Sequence, residues 1–344
     1  MSTTLRGLLL MGAIGLATAA PATAQQTFFV AGYGGSFEQL MRKEVIPPFE
    51  ARHGVRVEYV AGNSTDTLAK LQAQRANQQI DVAFLDDGPM YMAIQLGFCG
   101  TITGLPEDEI VPAARFAGDR AVGIGLVGTG LMYNTQYFRE RGWAPPTSWT
   151  DLADPKYRRL IVIPPINNTY GLHTLVMFAR LNGGGERAIE PGFQVMKDRI
   201  NPNVLAYEPS PGKMTELFQS GQAALAVWGT GRVAAFAATG FPVDFVYPKE
   251  GTITLLAAVC PIAKQNASPQ AQDFIRALVQ PEVQAVLAAE FGFGPVSRRA
   301  PVDAAANPML PVGERAAQLI NVDWDVINPN RDAWTRRWNR EVER

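Results

Sequence analysis

Thr27-Phe28-Phe29-Val30-Ala31-Gly32-Tyr33-Gly34-Gly35-Ser36 decides how this chain is read. Residues 27–31 are apolar and strand-favouring, and they give way at once to a glycine-rich turn. A helical spacing of apolar residues follows over 37–52 and stops at Gly54. The unit then repeats. Residues 55–61 read as a second strand and Asn63-Ser64-Thr65 as the next turn, with Ser64 or Thr65 capping a helix over 66–77. Residues 80–85 read as a third strand, ending at Asp86-Asp87-Gly88-Pro89 before a short helix. Short strands alternating with helices imply an α/β fold in which helical crossovers link mainly parallel strands.

Further along, residues 121–127 and 131–134 read as strands split by Gly128-Thr129-Gly130, a candidate hinge. Residues 160–163, 204–207, 224–228 and 243–246 supply a second set of strands, with helices predicted over 172–181, 213–220 and 233–239. One more strand over 253–259 precedes two helices within 269–289. A closing amphipathic helix is expected over 332–344, where Trp334 and Trp338 stand one turn apart. A chain of 344 residues suits two domains.

The balance of 31 basic against 32 acidic residues argues against nucleic acid or a polybasic membrane surface as partner, because both need a field of one sign. At the N-terminus, Arg6, an apolar run over 8–20 and then Pro21-Ala22-Thr23-Ala24 form a secretory signal pattern with cleavage expected after Ala24. The run is short for a transmembrane helix, and no Cys follows it, so a soluble exported protein is expected. Export permits a disulfide between Cys99 and Cys260, while two buried thiols are the other reading.

In open parallel sheets, ligands bind outside the carboxyl ends of the strands. The loops at 33–36, 63–65, 86–88, 167–170 and 229–232 all fall there, and most are rich in glycine, hydroxyls and amides. Taken alone, each is an ordinary capped turn; together they suggest a cleft for a carboxylate or another small anion. The candidate ligand-binding residues are Tyr33, Gly35, Ser36, Ser64, Thr65, Asn168, Thr169, Tyr170 and Gly229, together with four charged or aromatic side chains. Arg232 either grips a carboxylate with its fork or is a solvated surface residue. Trp228 is either core or an aromatic wall of the pocket. Asp87 caps a helix or receives an amine, and Glu208 could likewise recognise an amino group. With only His53 and His173, and no recognisable nucleophile, zinc or phosphate motif, no catalytic residue, metal or cofactor is predicted.

Several stretches carry a family resemblance: Leu131-Met132-Tyr133-Asn134, Ser148-Trp149-Thr150-Asp151-Leu152, Pro155-Lys156-Tyr157, Val227-Trp228-Gly229 and Tyr247-Pro248-Lys249-Glu250-Gly251. In order and spacing the chain resembles the spermidine/putrescine-binding periplasmic proteins that serve ABC importers. The resemblance implies a two-lobed, type II periplasmic-binding-protein fold with a two-strand hinge. Residues 25–128 with 250–344 would form one lobe and 129–249 the other, closing on a ligand by hinge motion. It also implies a monomer that docks on permease subunits in the inner membrane. Where polyamine binders carry Trp-x-Asp, this chain has Thr254-Leu255-Leu256-Ala257, and Asn167-Asn168 replaces an acidic pair. A polycation needs carboxylates in exchange for its hydration. The expected solute is therefore a small organic acid or an amino-acid-like zwitterion, with a polyamine as the alternative.

Overall fold

The computed structural model describes residues 25–305 and 307–343; the signal pattern at residues 1–24 lies outside them. The strands are β1 (Thr27–Gly32), β2 (Arg56–Ala61), β3 (Val82–Asp86), β4 (Val122–Asn134), β5 (Ile161–Ile163), β6 (Val204–Tyr207), β7 (Leu225–Gly229), β8 (Val243–Val246), β9 (Thr252–Pro261) and β10 (Leu319–Ile320). They join in one path, β2-β1-β3-β9-β4-β7-β5-β6, with β8 paired to β4 and β10 to β9. At one end β1 runs parallel to β2 and β3, and at the other β5 runs parallel to β6 and β7. Between these groups lie the long strands β4 and β9, antiparallel to each other and to β3 and β7.

Burial divides along the same line. One apolar core draws on the chain from Phe28 to Val127 and again from Leu255 to Val296. Two further clusters draw on residues 131–253. The strands β4 and β9 pass from one body to the other, which is why each has a long, fully buried run rather than the alternating pattern of a half-exposed sheet.

The structure corrects the sequence in several places. Gly128-Thr129-Gly130 does not interrupt a strand; β4 runs straight through it. The glycines serve close packing there. A Cβ on Gly128 would meet Thr252 Cγ2 at 2.7 Å, and one on Gly130 would meet Phe245 Cζ at 2.6 Å. The helix after β2 begins at Ser64, and its cap is Asn63 rather than Ser64 or Thr65. Asn63 Oδ1 accepts from Asp66 N at 2.9 Å, while Asp66 Oδ2 accepts from Asn63 N at 3.3 Å, a reciprocal capping box.

The closing helix runs over Trp324–Glu341, longer than its pattern suggested, with Pro329 inside its first turns. From sequence it grouped with the first lobe. Its buried side chains Trp324, Ile327, Trp334 and Trp338, with Val342 just past its end, instead join the core built by residues 131–253. Cys99 and Cys260 are joined in a disulfide across 161 residues of sequence, with Cα atoms 5.6 Å apart, inside the first core. Among the described residues, no helix is long and apolar enough to cross a membrane.

Candidate ligand-binding cleft

A cleft of about 610 Å3 lies where the two bodies face each other. Its first wall comes from strand ends of the first body: Tyr33 to Gly35 after β1, Asn63 and Ser64 after β2, and Asp86 at the end of β3. The second wall comes from strand ends of the other body: Asn167, Asn168 and Tyr170 after β5, Glu208 to Gly212 after β6, and Trp228 and Arg232 around the end of β7. Val127, Leu255 and Ala257 from the crossing strands, with Phe291 and Phe293, add an apolar surface.

Arg232 belongs to the helix Thr230–Ala237 and is only 9% exposed. Its Nη1 donates to the Gly34 carbonyl at 2.8 Å and lies 3.4 Å from Ser36 Oγ, so the second body reaches across to the first. The guanidinium also stands 5.4 Å from the Phe291 ring and beside the Tyr170 hydroxyl. Burial pushes its pKa down, and the polar groups around it only partly offset that cost. These hydrogen-bond partners are neutral oxygens. A desolvated guanidinium without a carboxylate against it keeps its affinity for an anion.

The helix starts differ in what they leave free. Asn63, Asn168 and Ser210 cap their own helices, so those amides already have an acceptor. The helices that begin after Gly35 and Gly229 carry no side-chain cap. Gly35 has φ of 70°, a left-handed conformation that favours glycine. Gly229 is required for proximity, since a Cβ there would stand 2.3 Å from the Tyr170 hydroxyl.

Eight of the sequence candidates line the cleft: Tyr33, Gly35, Ser64, Asn168, Tyr170, Glu208, Trp228 and Arg232. Trp228 serves both roles weighed for it, being 4% exposed within a core cluster and also presented to the cleft. Ser36, Thr65, Thr169 and Gly229 stand one layer behind. Thr65 Oγ1 donates to the Asn167 carbonyl at 3.1 Å, and Thr169 Oγ1 donates to Asp86 Oδ2, so both tie one body to the other.

Asp87 is a correction. It neither caps a helix with its side chain nor faces the cleft; it accepts from Trp324 Nε1 at 2.8 Å, and its other oxygen is buried without a partner. Burial first, and then the neighbouring Asp86 charge, push its pKa up to about 7 against a hydrogen bond that pulls it down.

Asp86 is what the sequence missed. It is buried at the end of β3, with its backbone N–H donating to Ser64 Oγ at 2.9 Å. Its carboxyl pKa is raised by burial, with Thr169, Tyr33 and Ser64 and the buried Arg331 pulling the other way. Glu38, Asp66 and Glu208 also line the cleft, so it keeps more carboxylates than the missing Trp-x-Asp and the Asn167-Asn168 pair implied. Each of those three has a local partner: Arg42 for Glu38, the Asn63 amide for Asp66 and the Ser210 amide for Glu208. Phe291 and Phe293 come from far along the chain, and no local pattern marked them.

Behind the cleft, His173 is fully buried, its Nδ1 2.8 Å from Thr129 Oγ1 and its Nε2 without a partner. Desolvation, then the Arg331 and Arg180 charges, push its pKa down to about 3, so the ring is neutral.

Residues 44–312 match the family described as bacterial extracellular solute-binding protein. The chain belongs to that family. A curated relative of the solute-binding protein, an uncharacterized protein of Haemophilus influenzae, is 27% identical over 213 residues, and the match spans 59% of each chain. Among solved structures, the solute-binding protein is similar to the periplasmic binding protein AfuA of Actinobacillus pleuropneumoniae, determined with fructose-6-phosphate bound. The TM-score is 0.77 at 20% identity, over 93% of this chain and 99% of that one. It is also similar to the binding protein AgtB of A. tumefaciens R10, determined with agropinic acid, with a TM-score of 0.73 at 21% identity over 94% and 100% of the two chains. The fold of this solute-binding protein is the two-lobed type II arrangement, with β4 and β9 as the crossing strands.

Proposed function

We propose that this chain is the periplasmic receptor of an ABC importer, without catalytic activity of its own, and that its solute is a small molecule bearing a carboxylate. It would work as a monomer, the lobes closing by hinge motion and the closed form docking on the permease. One lobe would comprise residues 25–128 and the chain returning from about 250. The other would comprise 129–249 together with the helix Trp324–Glu341, whose tryptophans pack there. The observation that carries the reading is Arg232: a buried guanidinium on the cleft wall, bonded to a carbonyl and a hydroxyl, with its charge left for an anion. The acid and the sugar phosphate held by the two solved relatives lend support at the level of ligand charge.

The test is thermal unfolding of the protein from residue 25 onward against a panel of organic acids, amino acids and polyamines. A solute at about 100 times its dissociation constant should stabilise the folded state by about 2.7 kcal/mol. For any acid that does so, Arg232→Ala should weaken binding by about 3 kcal/mol, read by calorimetry, because it removes a buried charged donor. Stabilisation by putrescine or spermidine alone would overturn the reading in favour of a polyamine receptor, for which Glu38, Asp66, Asp86 and Glu208 would supply the counter-charges.

A further inference from the structure

The acidic side of the cleft is built differently from its rim. Glu38, Asp66 and Glu208 are partly or fully exposed and already partnered, whereas Asp86 is buried. The one close hydrogen bond to its carboxylate among the described residues is Thr169 Oγ1 to Oδ2; Tyr33 and Ser64 lie near it more loosely, and Oδ1 has no close donor. The Tyr33 hydroxyl lies beside this carboxylate. It is buried, lines the same cleft and leans on Asp86 without closing a well-formed hydrogen bond. A buried hydroxyl held only loosely against a carboxylate leaves both groups short of a full partner, which a third group between them can supply. Ser64 Oγ, which accepts the Asp86 amide, has its own hydrogen to turn toward the same carboxylate.

Charge points the same way. The buried charges that line the cleft are Asp86 on one wall and Arg232 on the other, one of each sign. Arg331 stands behind the cleft, donating to the Asn167 carbonyl at 3.4 Å, and its charge acts on Asp86 and Asp87. A bare acid on Arg232 would leave the Asp86 and Arg232 pair with one negative charge in excess, and a bare amine with one positive. A solute carrying both charges, held apart, leaves it balanced.

We propose that the Asp86 carboxylate and the Tyr33 hydroxyl form a subsite for a protonated amine, so that the solute is a zwitterion with its carboxylate on Arg232. The ammonium donates to Asp86 Oδ1 and to Tyr33 Oη, while the Tyr33 hydrogen turns to the carboxylate. Trp228, Phe291 and Leu255 border the apolar space between the poles, and a cleft of about 610 Å3 holds far more than the two charged groups alone. This subsite rests on the carboxylate reading of Arg232 for its other pole.

The experiment uses the full mature protein and matched pairs of probes: L-amino acids and ω-amino acids of three to six carbons, each beside the same acid without its amine. Amine-bearing members should raise the unfolding temperature, their des-amino partners should bind at least about 30-fold more weakly, and Asp86→Asn should erase that difference. Tyr33→Phe, which keeps the carboxylate and the ring packing, should reduce the difference several-fold; it carries the test if Asp86→Asn fails to fold. Equal affinity within each pair, or no stabilisation by any amine-bearing acid, overturns the subsite. The two readings fail separately. Acids that bind through Arg232 regardless of an amine sink the subsite alone, whereas amines that bind regardless of a carboxylate sink the Arg232 reading and leave Asp86 standing.

Discussion

The two bodies solve the same problem of closing a core by different means. In the first, the chain leaves at Val127 and returns at Leu255, and the returning segment is bolted in place by Cys99–Cys260. Its interior is aromatic, with Phe37 packed against Phe84, Phe291 and Phe293 and with Phe28, Phe49 and Phe274 in mutual contact. The second contains no cysteine and is closed by a helix from the far end of the chain, whose Trp324, Trp334 and Trp338 fill the space beside residues 131–253. That helix does not stop at its own core. Trp324 Nε1 reaches Asp87 at 2.8 Å, and Asn328 Nδ2 donates to the Gly88 carbonyl at 3.1 Å, both in the first body. One body is held by a covalent link within itself. The other is held by a segment that also grips its neighbour, so its integrity and the relation between the bodies are coupled.

The largest effect expected from this difference is on the disulfide. Replacing Cys99 and Cys260 by Ser frees a loop of 161 residues and should cost about 4 kcal/mol of unfolding free energy, measured in urea. Hydrogen exchange should place the loss in the strands β1, β2 and β3 and leave β5, β6 and β7 protected. A uniform loss over both bodies would mean that they unfold as one unit and that the contrast has no energetic content.

A smaller effect separates the bodies by pH. His173 packs in the second body with a pKa of about 3, against an ordinary 6.5. Between those values the unfolded chain holds a proton that the native ring refuses, so this residue's contribution to stability falls as pH drops from 6.5 toward 3. Asp87, in the first body, has the opposite sign. With its pKa raised from 3.8 to about 7, it holds a proton in the native state that the unfolded chain has lost, so its contribution rises on acidification across that range. The two largely offset each other in the native protein. In His173→Gln the offset disappears, and stability relative to the parent should improve by about 1.4 kcal/mol for each pH unit below 6.5. Unfolding curves at pH 7 and pH 5 check this; a difference that does not move with pH removes His173 from the account.

The smallest effect probes the grip itself. Trp324→Phe keeps most of the ring volume and removes the hydrogen bond to Asp87, at a cost of about 1 kcal/mol in stability. Because that bond spans the two bodies, small-angle scattering of the ligand-free protein should show a shift toward the open form. A loss of stability with unchanged dimensions would make Trp324 a packing residue only.

Much of the frame was legible before any coordinates. The five loops named as cleft candidates from their glycines and hydroxyls each follow a strand, and most of the residues singled out there line the cleft. What failed were choices between neighbours. Asp87 was preferred to Asp86, yet at the end of β3 a step of one residue carries a side chain from the cleft to the opposite side, where Trp324 waits. Ser64 or Thr65 was preferred to Asn63 as cap, although Asp66 completes a capping box with Asn63. The glycines in β4 looked like a break because sequence cannot show the Phe245 and Thr252 side chains pressing on them.

By itself, then, the sequence determined the alternation of strands and helices, the balanced charge and the family, since these follow from local periodicity and from motifs that keep their order along the chain. The pairing of Cys99 with Cys260, the seat of the last helix and the meeting of Arg232, Asp86, Tyr33 and Phe291 in one cleft were decided by tertiary structure alone. The reason is that these groups lie 53 to 258 residues apart in pairs, and burial of apolar surface, which has no direction along the chain, is what brings them together.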